Sequence, residues 1–422
     1  MRTETAQLGI AGGGLMGCSI AAAFLRVRIP VILYDISPDA RAAAPGRLAE
    51  ELAAQLAGSL APAETDRREA RTRVGALLTV TGNEADLDRA ETIIETIVEK
   101  PKIKRKFYRT LDSFCTGKKV LLSNTSTIRI TELAAGLAET ENLLPDRFCG
   151  FHFFHPVRKR SLVEIIRGAE TSDETIRRAE ELARLIEKEP IVVRDGPGFL
   201  VNRLLNPYLE EAMTLLLEGV PLERIEELCR RFGMEMGPFR IMDEIGLDVT
   251  MHSGWTFFKA FPQYIQSGEL LPALIDSGRL GRKNGHGFKL YAGRGNWSDE
   301  GDSDPALAPL VEELRSKRRT GTPPAQSGPG FPLGENLPLT GREISDEILT
   351  LRVFSSILTE ARRILADGII DDPAEADRAL TRGLGFPAAK GGIFPWAESY
   401  GIEKLQKICR GFEALNPKYV WG

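Results

Sequence analysis

The six residues Gly12-Gly13-Gly14-Leu15-Met16-Gly17 constrain this chain more than any other stretch. They follow a short apolar segment, Leu8-Gly9-Ile10-Ala11, and open CSIAAAFLRV, whose small and apolar residues read as a helix. PVILYD (Pro30 to Asp35) comes next, apolar and β-branched without alternation, as in a buried strand. Strand, glycine turn, helix and strand make a βαβ unit. Such a unit implies a parallel sheet covered by helices on both faces. In GxGxxG spacing the first glycine permits the tight turn, the second lets backbone approach a pyrophosphate, and the third lets helix and strand pack closely. The helix N-terminus then offers amide donors and a positive dipole to the phosphates. Asp35 ends the second strand 18 residues after Gly17 and can accept from a ribose hydroxyl. A carboxylate there repels a 2′-phosphate, so NAD is expected over NADP, with Arg41 nearby weakening the preference. The cofactor-binding candidates are therefore Gly12, Gly14, Leu15, Met16, Gly17 and Asp35.

Further along, Asp39 to about Arg73 reads as helix, either continuous or split at Pro45-Gly46 or at Pro62. Strands are expected at Gly75–Val80, Thr92–Val98 and Lys119–Leu122, then an amphipathic helix at Glu174–Glu189 and a strand at Ile191–Asp195. Gly196-Pro197-Gly198 is a break, and beyond it the pattern becomes all-helical: Phe199–Leu217, Leu222–Phe232 and a third helix near Ile241–Phe257. Residues 292–341 are rich in Gly, Pro and Ser and read as a linker with one short helix near Leu307–Arg315. Phe331, Leu333 and Leu337 are available to pack along a surface. Asp346–Asp367 is helical again, and here a repeat shows. Glu360-Ala361 and Gly368 reproduce Glu211-Ala212 and Gly219 at an offset of 149, and each copy then runs through an acidic helix into a glycine-rich turn. The expected organisation is an α/β N-terminal Rossmann-type domain over 1–196, a first helical domain over 197–291, the linker over 292–341 and a second helical domain over 342–422. Duplicated helical copies suggest packing on each other as two subunits would.

Bulk composition narrows the partners. The net charge is −4 and charged residues make up 27% of the 422, so neither nucleic acid nor an anionic membrane is expected to bind by bulk attraction. Five scattered cysteines without a CxxC pair fit a reducing cytoplasm. No apolar run approaches the roughly 18 residues that span a bilayer. A cytoplasmic protein without membrane insertion is the expectation.

Two of the four histidines sit in CGFHFFHPVRKR (Cys149–Arg160). A metal pair is disfavoured, because no cysteine lies at ligand spacing and the aromatic pair and Pro156 oppose a shared helix face. No metal site is expected. For His155, next to Pro156, a core histidine is the plain reading. His152 needs a partner to be more. If residues 149–154 form a strand antiparallel to Ser161–Ile166, with a turn at Pro156–Arg160, Glu164 comes beside His152. A carboxylate on one imidazole nitrogen fixes the tautomer and raises the basicity of the other. Such a base beside an NAD site suits alcohol oxidation.

The motifs GGGLMG with LYD, IIETIVEKPKIK, LLSNTSTIRIT, GFHFFHPV with LVEII, GPGFLVNR and MGPFRIMDEIGLD come in an order that resembles the L-3-hydroxyacyl-CoA dehydrogenase family. The repeat ending in GFPAAKGGIFPW resembles the second helical domain in the dehydrogenase half of bacterial multifunctional fatty-acid-oxidation enzymes. The resemblance implies NAD-dependent oxidation of (S)-3-hydroxyacyl-CoA to 3-ketoacyl-CoA. It implies His152 as general base, Glu164 as its partner, and Ser126 and Asn202 as contacts to the reacting group. Glu99 and Lys104 match positions near the cofactor. Relatives often place Asn where His155 stands. The match is poor where CoA phosphates are expected, around Pro45-Gly46, with Arg41 and Arg47 as substitutes. An acyl-carrier protein therefore stays open as the carrier beside CoA, and a free hydroxy acid as the substrate. The helical repeat leaves open a monomer with an internal pseudo-dimer or a homodimer.

Overall fold

The computed structural model describes residues 7–59, 61–265, 268–292, 300–319, 343–413 and 415–421. The chain divides into two compact units, one ending at Phe199 and the other starting at Leu200. Among the described residues no helix is long and apolar enough to cross a membrane.

The first unit runs β1 (Gln7–Ala11), α1 (Leu15–Arg26), β2 (Val31–Tyr34), α2 (Pro38–Ala57), α3 (Glu64–Leu77), β3 (Leu78–Thr81), β4 (Ala90–Glu95) and α4 (Pro101–Asp112). It continues through β5 (Val120–Ser123), α5 (Ile130–Ala134), β6 (Phe148–Phe153), β7 (Leu162–Arg167), α6 (Asp173–Leu185) and β8 (Glu189–Arg194). Among the described residues these strands form one eight-stranded sheet, β3-β2-β1-β4-β5-β6-β7-β8, parallel except between β6 and β7. All four residues of β2 are buried, as expected of a strand with helices over both faces. Ile20, Phe24 and Leu25 of α1 join Leu48 and Leu52 of α2 and the strand residues Leu8, Ile10 and Leu33 in one core.

The glycine turn is built as its spacing requires. Gly12 has φ 112°, and a Cβ there would fall 2.6 Å from the Thr96 hydroxyl. A Cβ on Gly17 would fall 1.9 Å from the Gly12 carbonyl oxygen, so α1 approaches β1 only because that position is bare. Nothing lies within 4 Å of where a Cβ on Gly14 would stand, which leaves the start of α1 open.

Three local readings change. The strand expected over Gly75–Val80 starts only at Leu78, because Ala70 and Val74 bury one face of α3 and keep the helix running through Leu77. The strand expected over Thr92–Val98 ends at Glu95, whose own side chain takes the Ile97 amide at 2.8 Å and turns the chain away. Helix α2 passes through Pro45 and stops at left-handed Gly58, so the split falls on the Pro62 side.

The second unit is helical: α7 (Val201–Glu218), α8 (Leu222–Phe232), α9 (Pro238–Ile245), α10 (Leu247–Ala260), α11 (Leu270–Asp276), α12 (Leu307–Arg319), α13 (Asp346–Ala366), α14 (Pro373–Arg378), α15 (Ile393–Tyr400) and α16 (Ile402–Glu413). The single helix expected near Ile241–Phe257 is two, broken at Gly246 with φ 100°. Within the segment read as linker, the short helix expected near Leu307–Arg315 is present as α12, and a strand not expected precedes it. Strand β9 (Lys289–Leu290) pairs with β10 (Asp302–Ser303), and α12 buries Leu307, Val311 and Leu314 against its neighbours α7 and α11. Their i, i+4, i+7 spacing is that of an amphipathic helix. Phe331, Leu333 and Leu337 lie outside the described residues.

The repeat is physical. Helix α7 packs on α13, and the Ser356 hydroxyl reaches the carbonyl of Pro207, its own equivalent 149 positions earlier. Glu226 caps α9 by accepting from Phe239 N at 2.7 Å, as Asp377 caps α15 by accepting from Phe394 N at 3.1 Å. Gly246 and Gly401, with φ 100° and 102°, end those two helices alike. The two glycine-rich turns also touch, Glu235 N donating to Gly385 O at 3.0 Å.

Candidate active site

The antiparallel pairing of β6 and β7 sets His152 directly opposite Glu164. Their side chains share a face of the sheet, and Nδ1 lies 2.7 Å from Oε2. His152 is 4% exposed and Glu164 is fully buried. The carboxylate thus occupies Nδ1, and Nε2 is the nitrogen that faces Ser126 Oγ, 3.1 Å away. Phe154 and Phe199 meet the imidazole edge-on, with centroids at 4.6 and 5.9 Å. The ring is thus held by one polar contact on each nitrogen and by aromatic packing.

Ser126 sits on the loop leaving β5. Glu99, at the matching end of β4, binds that loop with one oxygen: Thr125 Oγ1 donates to it at 2.7 Å, Ser126 N at 2.9 Å and Thr127 N at 3.1 Å. Burial pushes the Glu99 carboxyl up, but the Lys104 charge and these donors outweigh it and hold it below the ordinary carboxylate range. Lys104 is 1% exposed and its ammonium lies 2.5 Å from Glu95 and 3.4 Å from Glu99. Asn124 ties the same loop to the histidine strand by accepting from Phe153 N at 2.9 Å. The loop leaving β5 is therefore anchored on both sides of Ser126.

Asn202 lies in the first turn of α7, in the helical unit. His155 is exposed at the end of β6, so the reading of it as a core histidine does not hold. The basic tail that follows is a staple. Arg158 pairs with Glu51 of α2 at 2.8 Å, and Lys188 donates to the carbonyls of Val157 and Arg160 at 2.6 Å each.

Asp35 accepts from Gly13 N at 2.6 Å and Ser37 N at 2.7 Å, which sets its carboxylate against the glycine turn. Arg41 donates to the carbonyls of Asp35 and Ile36, so its guanidinium braces the turn instead of reaching outward. Arg47 is exposed on α2. Sequence reasoning missed an apolar platform here. Leu15, Ile36 and Val98 are 63%, 82% and 57% exposed, and they follow β1, β2 and β4, three adjacent strands at the point where the strand order reverses. Crevices at such a point bind dinucleotides. The open space at Gly14, the Asp35 carboxylate and this platform fit NAD. Glu95 was also missed. Its signal is a charge that follows the apolar pair Ile93-Ile94 and closes β4.

A family model described as the NAD-binding domain of 3-hydroxyacyl-CoA dehydrogenase matches residues 7–196, and one for the C-terminal domain matches residues 198–291. A solved (S)-3-hydroxybutyryl-CoA dehydrogenase from Ralstonia eutropha is 33% identical over 68% of this chain and 100% of its own, with a TM-score of 0.61. A 3-hydroxybutyryl-CoA dehydrogenase from Escherichia coli K12 shares the fold over 99% of this chain and 97% of its own, at 23% identity and a TM-score of 0.77. The dehydrogenase part of multifunctional enzyme 1 from C. elegans shares it over 99% and 88%, at 22% identity and a TM-score of 0.62. With two family models over consecutive parts of the sequence and a relative 33% identical over 68% of it, the chain belongs to the NAD-dependent 3-hydroxyacyl-CoA dehydrogenase family.

Proposed function

We propose that the chain oxidises (S)-3-hydroxyacyl-CoA to 3-ketoacyl-CoA, reversibly, with His152 as general base. The observation that carries this reading is the His152 ring, tied to Glu164 at Nδ1 and presenting Nε2 beside the Ser126 hydroxyl. Nε2 takes the C3 hydroxyl proton as the carbonyl forms, and the Glu164 carboxylate stabilises the imidazolium that results. The chemistry that bound NAD would supply is acceptance of the hydride from C3. Ser126 donates a hydrogen bond to the C3 oxygen, and Asn202 contacts the reacting group. In the ketone-reducing direction His152 returns the proton to that oxygen. Gly12, Gly14, Leu15, Met16, Gly17 and Asp35 would hold the cofactor, with Glu99 and Lys104 near it. CoA is the proposed carrier because a relative 33% identical is a 3-hydroxybutyryl-CoA dehydrogenase.

The test follows NADH absorbance with acetoacetyl-CoA and with longer 3-ketoacyl-CoA esters, in the wild type and in His152→Ala. Turnover of CoA esters by the wild type and its loss in the variant is the expected result. An unchanged His152→Ala rate removes His152 as the base. Reduction of the same acyl groups only when they are carried on an acyl-carrier protein removes CoA as the carrier.

A further inference from the structure

The base proposed above depends on a serine held by a loop, and that loop is held by charge. The chain of contacts starts at Glu95, a fully buried carboxylate at the end of β4. Its Oε1 lies 2.5 Å from Lys104 Nζ and accepts from Ile97 N at 2.8 Å. Its Oε2 accepts from Tyr108 Oη and Ser123 Oγ, each at 2.8 Å. Both oxygens are thus saturated by donors from the turn after β4, from α4 and from β5. Lys104 also donates to the Ile97 carbonyl at 3.3 Å and reaches Glu99 Oε2 at 3.4 Å. Glu99 turns its other oxygen to Thr125, Ser126 and Thr127. A second, uncharged route runs from Glu95 through Ser123 Oγ, which accepts from Thr125 N at 3.3 Å.

We infer that Glu95 is a positioning residue for the proton-transfer step. It takes the larger share of the Lys104 charge, and so leaves Glu99 to grip the amides that set Ser126 Oγ beside His152 Nε2. Two carboxylates share one buried ammonium, and the division between them decides where Glu99 points. Without the charge on Glu95, the Lys104 ammonium has Glu99 as its sole carboxylate among the described residues. A buried cation draws in the partner that remains. Glu99 then moves toward Lys104, the Ser126 and Thr127 amides lose their acceptor, and the serine leaves its place. This inference rests on His152 as the base.

The experiment uses Glu95→Gln, Lys104→Met and the double variant, with kcat for acetoacetyl-CoA reduction, NADH affinity by fluorescence titration, and amide hydrogen exchange at residues 125–127. For Glu95→Gln the expected result is a fall in kcat of ~10-fold or more, a smaller loss of NADH affinity as Glu99 shifts, and faster exchange at Ser126 and Thr127. In the double variant the unbalanced cation is gone. Its kcat should equal or exceed that of Glu95→Gln, where independent roles would give a lower value. Wild-type kcat in Glu95→Gln overturns the inference, and so does a loss carried wholly by NADH affinity. If Glu95→Gln does not fold, the double variant decides. Protected amides at 126 and 127 in a folded double variant support the inference, whereas their loss, or failure of both variants to fold, reduces Glu95 to a core residue. Failure of the parent reading looks different, because His152→Ala would then keep its turnover.

Discussion

Arg352 donates to the Glu211 carboxylate at 2.7 Å, and Arg203, 149 residues before Arg352, donates to Glu360 at the same distance. Each arginine comes from one repeat and each glutamate from the other. The match extends to a second carboxylate, since Arg352 also meets Glu218 at 2.6 Å and Arg203 meets Asp367 at 2.9 Å. Both arginines are 1% exposed. This is the reciprocity of a two-fold interface, residue i to j and j to i, made within one chain. Removing one partner of a buried pair strands the other, at a cost of about 3–5 kcal/mol. Arg352→Met should therefore lower the stability of the helical unit by that order, read as a shift in the urea midpoint. Adding Glu211→Leu should cost less than it does in the wild type, although it also takes the carboxylate from Lys418. A fully additive double variant would show that the two groups do not act as a pair.

Acid should act on the same pair. Burial pushes the Glu211 carboxyl up, but the charges of Arg352 and Lys418 outweigh it and pull it down to about 2, from an ordinary 4.5. A carboxylate depressed on folding contributes stability that is complete above its ordinary value. That contribution is lost as pH falls through the ordinary value toward the folded one. The helical unit should weaken between about pH 4.5 and 2, with up to about 1.4 kcal/mol per pH unit from this group. Glu360, its equivalent, is shifted the other way, because burial there outweighs Arg203 and Arg363. Glu211→Gln is thus the informative variant. Its stability should be lower at neutral pH and should fall less steeply in this acid window, measured by circular dichroism at fixed urea. A slope equal to wild type would remove Glu211 from the acid response.

Glu164 makes a sharper prediction about chemistry. Its register with His152 means that Glu164→Gln keeps the shape and removes the charge. The amide cannot stabilise an imidazolium and can present an N–H to Nδ1, which favours the wrong tautomer. A fall in kcat of about 10²–10⁴-fold is expected, with NADH affinity unchanged and the fold intact by circular dichroism. Activity within about 3-fold of wild type would reduce Glu164 to a packing role.

Local chemistry made much of this legible in advance. The glycine turn, Asp35 and the βαβ order could be read because each depends on neighbours within about thirty residues. The pairing of His152 with Glu164 was readable because a hairpin joins them and strand alternation fixes which side chains share a face. What escaped was set by tertiary context. Glu95 looks like an ordinary charge at a strand end until α4 and β5 bring Lys104, Tyr108 and Ser123 to it. The short helix expected near Leu307–Arg315 is α12, but the strand at Asp302–Ser303 escaped, because only its pairing with Lys289–Leu290 makes that polar stretch a strand. Arg41 looked free to meet a phosphate, and only the fold shows its guanidinium folded back on the carbonyls of Asp35 and Ile36.

That position of Arg41 bears on cofactor choice. Asp35 presents the charge that disfavours a 2′-phosphate, and a brace on backbone carbonyls leaves Arg41 poorly placed to neutralise one. Asp35→Asn removes the repulsion and also weakens the proposed charge-assisted bond to the ribose, a bond worth about 1.5–3 kcal/mol. The expected outcome is NADH binding about 10- to 100-fold weaker, while NADPH binding stays within about 5-fold of its wild-type value. Preference should therefore narrow by losing NADH, not by gaining NADPH. The carboxylate also accepts from Gly13 N and Ser37 N, so the folded state of the variant is checked first by thermal melting. Titration of both nucleotides by fluorescence decides the matter. A large gain in NADPH affinity would mean that Arg41 leaves its carbonyls to take the phosphate, and that its bracing role is weaker than the 2.8 and 3.0 Å bonds suggest.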